Sequence, residues 1–147
     1  MAPFCFQLER VLEWYRTQAS LEEERLRLCA DAAAHAVAEM ERHRRDSLAR
    51  QMEVLRSPKI QASELAALGA FRRRAKQVDR DLREKCQRTG QALEQQRGVA
   101  LLAQRRLRLI EKLRDRRLAE YRYEAARELE TLASETFLAS YARGMTE

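Results

Sequence analysis

The side chains best suited to metal or thiol chemistry in this 147-residue chain are three cysteines and two histidines. A zinc site usually takes about four such side chains, brought together by short spacings such as Cys-x-x-Cys. Here Cys5, Cys29 and Cys86 lie far apart, and His35 and His43 have no flanking ligand pattern. We therefore expect no metal site, and reduced thiols of the kind found in cytosolic proteins.

Catalytic motifs are also missing from the sequence. No glycine-rich phosphate loop of the GxxxxGK[ST] or GxGxxG type occurs. No Ser, His and Asp set could be enclosed by the two helices expected below, since acid–base and nucleophilic chemistry need a cavity that excludes water. Charges at Glu9 and Arg10 argue against a signal peptide, and no apolar run approaches the roughly 20 residues that span a bilayer. The sequence predicts a non-enzymatic protein without cofactor or small-molecule ligand.

The strongest feature is positive charge within the second half of the chain. Residues 1–56 hold 9 basic and 10 acidic side chains, residues 57–120 hold 17 and 8, and residues 121–147 hold 3 and 5. The net charge of +6 therefore arises from the middle segment, which alone carries +9. Its densest part is RRLRLIEKLRDRRLAEYRYE, residues 105–124.

Part of this charge falls on one side of a helix, which we call the basic stripe: Arg105, Arg108, Lys112 and Arg116. At 100° per residue these four lie within about 80° of one another. Like charges four residues apart destabilise a helix by roughly 0.2–0.5 kcal/mol per pair. The stripe is either a solvated face or a docking surface for an acidic partner. Four apolar residues lie on a neighbouring face that we expect to meet another helix: Leu102, Leu109, Ile110 and Leu113.

The elements that carry these residues are predicted from composition and breakers. Charged residues make up 35% of the chain, and it has only 4 glycines and 2 prolines, which is typical of long helices or coiled coils. We predict an all-α fold with a first helix over about 4–56, a break over 57–63 and a second helix over about 64–141. Pro58 disfavours helix at Ser57, and Ser63 is a candidate N-cap. We expect a bend between Gly90 and Gly98.

Apolar residues recur at steps of three and four along both helices, which predicts an antiparallel coiled-coil hairpin forming one domain over residues 1–147. A hairpin centred near residue 60 pairs the aromatic-rich start with the leucines of residues 105–116, and leaves the chain beyond about Arg116 overhanging. A second basic cluster, Arg72, Arg73, Arg74 and Lys76, lies nearer the other end. The first ladder is Leu8, Leu12, Tyr15, Ala19, Glu22, Leu26, Cys29, Ala33, Ala36, Met40, His43, Ser47, Arg50 and Val54. The second is Leu65, Leu68, Ala75, Val78, Leu82, Cys86, Thr89, Leu93, Gln96, Ala100, Ala103, Leu107 and Ile110.

Two segments of this chain resemble the FliJ family of flagellar export proteins. The opening FCFQLERVLEWYRTQASLEEERL, residues 4–26, is similar to the family's start: a phenylalanine, a Leu-Glu-Arg-hydrophobic-Leu run and a glutamate-rich heptad helix. The segment LIEKLRDRRLAEYRYEAARELETLA, residues 109–133, resembles its C-terminal pattern of a Lys-Leu-Arg-x-Arg-Arg core, a tyrosine and an acid-rich tail. The length and the two-helix layout agree as well.

The resemblance implies a stalk-like, non-enzymatic component of the flagellar type III export apparatus, located in the cytoplasm at the inner membrane of the flagellar base. Such a stalk sits in the pore of the hexameric export ATPase, connects it to the export gate in the membrane, and has export-substrate chaperones as further partners. We expect the ATPase to contact Arg105, Arg108, Lys112, Arg116, Arg117 and Tyr121. We expect the gate to contact Phe71, Arg72, Arg73 and Arg74.

Three other interpretations stay open. The equivalent stalk of a virulence-type secretion system has a similar shape. A basic coiled coil could bind nucleic acid through its +9 segment, although no nucleic-acid fold signature occurs and the basic residues are interleaved with leucines. A homodimeric coiled-coil scaffold is the third. We favour the flagellar stalk and expect no nucleic-acid partner.

Overall fold

The computed structural model describes residues 3–56 and 61–144. Within those ranges the chain forms two long helices, α1 (Glu9–Arg56) and α2 (Ala62–Gly144), and no strand. The two helices pack against each other as a hairpin. Cross-helix bonds join Arg44, late in α1, to Asp79, early in α2, and Glu22, earlier in α1, to Gln96, later in α2, so the packing is antiparallel. The predicted all-α antiparallel coiled-coil hairpin is confirmed.

The helix ends differ from the prediction at two places. Helix α1 begins at Glu9 and not near residue 4, because residues 3–8 form a non-helical segment that ends in a turn. Helix α2 begins at Ala62, where the Glu64 carboxylate accepts a hydrogen bond from the backbone N–H of Gln61 at 3.0 Å. Gln61, and not Ser63, therefore occupies the N-cap position. The predicted break at Pro58 lies outside the described residues.

The described chain divides into two compact units. Unit 1 is built from the chain up to Ala19 and from Ala103 onward, and unit 2 from Ser20–Leu102. Each unit contains part of α1 and part of α2. The single domain expected over residues 1–147 remains a prediction.

The core of unit 1 is a narrow apolar seam. Leu12 is fully enclosed at 0% exposure, and Phe6 and Ala19 are buried beside it. From α2, Leu107 and Ile110 reach the seam as half-buried side chains. Leu113 and Leu118 of α2 are half-buried as well. Further along α2 the ring of Tyr121 meets that of Phe4 at 5.5 Å, and at the flank of the seam Arg16 approaches Glu111 at 3.8 Å.

Unit 2 has a seam of small residues with one polar pair inside it. Ala36 and Ala100 are buried, as are Leu68 and Leu82. Glu22, only 9% exposed, accepts hydrogen bonds from the Gln96 amide at 2.5 Å and from the guanidinium of Arg25 at 2.7 Å. No buried side-chain polar atom in the described part of the chain lacks a hydrogen-bond partner. The seam is therefore narrow, but the buried polar side-chain atoms described within it are all hydrogen-bonded.

The first predicted ladder is buried or half-buried throughout, except at Leu8 and Arg50, which are exposed. The second predicted ladder differs from the observed pattern of burial near its start. Leu65 is 53% exposed and Val78 41% exposed, and the seam instead passes through Phe71 and Asp79. Two successive steps of four, from residue 71 to 75 and from 75 to 79, form a stutter about two turns before the one in the predicted ladder, where the steps run from residue 78 to 82 and from 82 to 86.

Two further expectations concern α2. The helix runs unbroken through Gly90 and Gly98, and the bend expected between them stays a prediction. The overhang does not begin at Arg116, because Phe4 still contacts Tyr121. From residue 126 to 141 every side chain is exposed, including Phe137 at 68%.

Charged side chains flank the seam of unit 2 in two cross-helix pairs, one of which gains a second arginine from α2. Arg44 donates to Asp79 at 2.9 Å, Arg83 lies 2.7 Å from the same carboxylate, and Lys85 reaches Glu39 at 2.6 Å. The hydrogen bond from Arg44 is the main reason that the pKa of Asp79 falls below its ordinary 3.8. Lys85 lowers the pKa of Glu39 below 4.5 in the same way, first by its hydrogen bond and then by its charge.

The seam of unit 1 should depend on its one enclosed leucine. Replacing Leu12 with alanine should lower the free energy of unfolding by about 2–3 kcal/mol, the lower half of the range for a buried leucine, because a two-helix seam closes only partly around a cavity. Urea denaturation followed by circular dichroism measures the change. Leu109→Ala, at a leucine that is 67% exposed, is the matched control and should shift stability by less than about 0.5 kcal/mol. Equal effects of the two substitutions would contradict this seam.

The stability of unit 2 should fall in acid. Because the pKa of Asp79 is lower in the folded chain, its ionised form adds stability above pH 3.8 that is lost as the pH falls through that value and below. Asp79→Asn should therefore destabilise the protein at pH 7, and the gap from the wild type should shrink at pH 3. Asp81→Asn, which removes a carboxylate bonded to the neutral Gln77, controls for lost charge. A gap that stays constant between the two pH values would contradict the role given to Asp79.

Candidate partner-binding surface

The basic stripe lies on an unbroken part of α2 in unit 1. The segment is rich in leucine, arginine, lysine and glutamate, all good helix formers, and contains no proline or glycine from residue 99 to 143. Its seam side is fixed by Leu107 and Ile110, which are half-buried. At 100° per residue the stripe lies on the opposite side of the helix from these two. All four stripe side chains are exposed, as this placement requires.

The stripe differs from its neighbours in lacking charge partners. Arg114 is 3.0 Å from Asp115, and Arg117 is 3.2 Å from Glu120. By contrast, no described residue forms a hydrogen bond or ion pair with Arg105, Arg108, Lys112 or Arg116. Their positive charges are therefore free to act on a molecule outside the chain.

Two leucines border the stripe, contrary to expectation. Leu102 and Leu109 were expected to face α1, but they are 52% and 67% exposed, and Leu109 stands about 40° around the helix from Arg105, just outside the stripe. Ile110 and Leu113 are half-buried, as expected. The surface is therefore a row of cations with exposed apolar side chains along one edge.

Unit 1 also exposes an aromatic side chain that the sequence reasoning missed. Trp14 was expected to pack on the leucine-rich segment, yet it is 55% exposed, and its ring meets that of Tyr15 at 4.9 Å in an edge-on arrangement. The spacing already indicated that Trp14 would be exposed, because it falls between the ladder positions Leu12 and Tyr15. Exposed tryptophan is frequent where binding energy concentrates in protein interfaces.

Two residues predicted to contact the ATPase lie apart from the stripe. Arg117 stands about 120° from Arg105 around the helix and is paired with Glu120. Tyr121 stands about 160° away, on the seam side, where it is half-buried against Phe4. The structure thus brings together four of the six residues, and the other two face different surroundings.

The four residues predicted to contact the gate do not form one surface. Because they are consecutive, they point in four directions around α2 of unit 2. Phe71 is half-buried, with the Arg50 guanidinium 5.9 Å from its ring centre. Arg72 donates to the Gln51 amide oxygen at 3.2 Å, whereas Arg73 and Arg74 are exposed.

The described residues offer little to metal chemistry. No group of three or more His, Cys, Asp and Glu side chains among them is arranged to hold a metal ion. Cys5 is exposed, Cys29 and Cys86 are half-buried, and all three are free thiols. In the two described ranges, neither helix has a stretch of the length and hydropathy needed to cross a bilayer.

Comparison with known proteins found no matching family model, curated protein or solved structure.

The unpaired stripe should cost the fold some stability. Lys112 stands four residues from both Arg108 and Arg116 and three from Asp115, so Lys112→Glu converts two repulsions into attractions and one attraction into a repulsion. We expect the free energy of unfolding to rise by about 0.5 kcal/mol at low salt, and the gain to shrink in 1 M salt. Urea denaturation at both salt concentrations measures this. A loss of stability would mean that Lys112 has a structural role and that the stripe is not a free surface.

Proposed function

We propose that the chain is a non-enzymatic, stalk-like component of a flagellar type III protein export apparatus. It binds in the pore of the hexameric export ATPase and links that enzyme to the membrane protein of the export gate. The proposal draws on the resemblance of residues 4–26 and 109–133 to the FliJ family. An antiparallel two-helix hairpin, the form implied for such a stalk, supports it.

The observation that carries the proposal is the unpaired basic stripe. A stalk in a ring needs attraction that tolerates changes of orientation, and a deep apolar patch would fix it in one place. Exposed cations attract an acidic pore lining over a distance, and they favour encounter and register more than final affinity. Leu109 and Trp14 supply apolar contact area in the same unit, and exposed leucine and tryptophan would add short-range binding energy.

We propose a smaller set of contact residues than the sequence alone suggested. Arg105, Arg108, Lys112 and Arg116 remain the proposed ATPase contacts. Arg117 and Tyr121 become secondary, since each already has a partner within the chain. For the gate, the exposed side chains of Arg73 and Arg74 are better candidates than Phe71 or Arg72.

In the cell the chain would act in the cytoplasm, held at the inner membrane of the flagellar base through the gate. Chaperones of export substrates are further proposed partners. The equivalent role in a virulence-type secretion system is the alternative, and the same surface would serve in either setting.

Reversing the charge of the stripe should separate binding from folding. With Arg108, Lys112 and Arg116 all changed to glutamate, the circular dichroism of the helices should remain, because these side chains lie off the seam. Binding to the hexameric export ATPase of the same organism should fall at least about tenfold, together with any stimulation of ATP hydrolysis. Wild-type binding should weaken as salt rises.

The matched control changes Arg27, Arg88 and Arg97 to glutamate. These cations are also exposed and shift the net charge equally, but they lie in unit 2. The control should bind the ATPase like the wild type. In cells, loss of swimming by the stripe variant alone supports the flagellar setting, and loss of effector secretion alone supports the virulence setting. A stripe variant that binds and stimulates like the wild type would overturn the proposed contact.

A further inference from the structure

Unit 2 contains an open groove between α1 and α2 that the proposed function does not use. It has a volume of about 800 Å³ and is lined by cations from both helices. We call it the basic groove and define it by six lining residues: Arg44, Leu48, Arg72, Lys76, Arg80 and Arg83.

Around the basic groove, basic side chains outnumber the acidic side chains that could neutralise them. Residues 41–56 and 61–83 hold eleven basic and six acidic side chains, a net +5. Asp79 is shared by Arg44 and Arg83, while no described residue forms a hydrogen bond or ion pair with Lys76 or Arg80. Because Arg72, Lys76 and Arg80 follow one another at steps of four, their repulsion persists unless an anion enters the groove.

One carboxylate of the chain itself, that of Asp79, is already bound by arginines in the groove. Arg44 and Arg83, one from each helix, lie 2.9 and 2.7 Å from different oxygens of Asp79. Arginine pairs of this kind are strong and geometrically specific for carboxylates. Lys76 and Arg80 line the same groove and offer comparable charge without a bound acid.

An exposed apolar row lies on α1 beside these cations. Leu48, Met52 and Leu55 are 61%, 46% and 50% exposed. Their spacing of i, i+4 and i+7 places them on one side of the helix, which is the spacing used to anchor a partner helix. Leu48 belongs both to the basic groove and to the hollow that contains Met52, so the row and the groove adjoin.

We propose that the basic groove binds an acidic amphipathic helix of a partner protein. Its apolar face packs on Leu48, Met52 and Leu55, and its carboxylates pair with Lys76 and Arg80. The groove thereby gains the anions that it lacks, and three exposed apolar side chains are covered. This interaction lies in unit 2 and does not depend on the function proposed for the stripe in unit 1.

A protein helix fits this surface better than the other polyanions. Nucleic acid has no apolar face to cover the row. An anionic bilayer would meet Glu41, which stands seven residues before Leu48 on the same side of α1, and Asp79 within the groove. A helix can place a basic or neutral side chain opposite those two acids and still present carboxylates elsewhere.

The test uses the full-length protein and a synthetic probe. The probe is a fluorescent peptide of about 20 residues with leucine at heptad positions a and d and glutamate at e and g. Two control peptides have the same composition in scrambled order, or lysine in place of glutamate. Fluorescence anisotropy should show tighter binding of the acidic amphipathic peptide than of either control, and binding should weaken with salt.

Variants locate the binding site. The double variants Lys76→Glu with Arg80→Glu, and Leu48→Gln with Met52→Gln, should each weaken peptide binding by about tenfold. Leu21→Gln with Leu28→Gln is the control for the apolar pair, since these leucines are 47% and 61% exposed elsewhere in unit 2. Arg27→Glu with Arg97→Glu is the control for charge. Both controls should bind like the wild type, and circular dichroism checks that every variant is helical.

Several results would overturn the proposal. The first is equal binding of the scrambled acidic peptide, which would reduce the groove to a general polyanion surface. The second is tighter binding of vesicles rich in phosphatidylglycerol, or of duplex DNA, with loss in the groove variants. The third is no peptide binding at about 1 mM. Self-association that depends on the groove variants, measured by sedimentation, would assign the groove to a second copy of this chain instead.

Discussion

Two helices can bury only the side of each that faces the other, and this constraint governs the molecule. A helix has 3.6 residues per turn, so a shared seam takes roughly two residues in seven from each partner. Among the described residues only Leu12 and the small Ala36 have no measurable exposure. The fold is therefore held by many partly buried contacts in a long row, and the remaining faces of both helices have no part in the core.

This division lets charge have different roles on different faces. Cations at the edge of the seam find acids across it, as Arg16 does with Glu111 and Lys85 with Glu39. Cations away from the seam, such as Lys112 on the outer face of α2 and Lys76 in the basic groove, have no such partner within the described chain. Their mutual repulsion costs only a few tenths of a kcal/mol per pair, because water screens it. Because packing in the seam offsets this small cost, the outer faces of both helices can carry unpaired charges and serve as binding surfaces.

Much of the fold could be predicted from the sequence because the seam has a strict period. Steps of three and four put Leu12, Ala36 and Ala100 on the buried side, and the structure confirms them. The prediction failed where a rule other than periodicity decided the outcome. The aromatic residue Phe6 is buried from a segment that is not helical, and the polar Asp79 takes a seam position because two arginines hold it.

The candidate surfaces were less predictable for a related reason. A count of charges finds a basic segment, but it does not tell which arginines have acids within reach. Arg117 and Arg116 are adjacent in the sequence, yet only Arg117 has an ion pair in the described chain. Leu109 and Trp14 are exposed because they lie off the side of each helix that faces the seam. An error of one residue in assigning the seam positions turns the helix by about 100°, which is enough to predict such side chains as buried.

The pairing of Glu22 with Gln96 has a consequence for how the two helices find their alignment. Much of this seam is alanine, and alanine faces look alike at every heptad, so packing alone would tolerate a slip of seven residues. A slipped hairpin would take the Gln96 amide away from Glu22 and leave its carboxylate with Arg25 alone, and the loss of a hydrogen bond to a charged group costs roughly 1.5–3 kcal/mol. One hydrogen-bonded pair thus favours a single alignment of two helices whose packing surfaces repeat every seven residues.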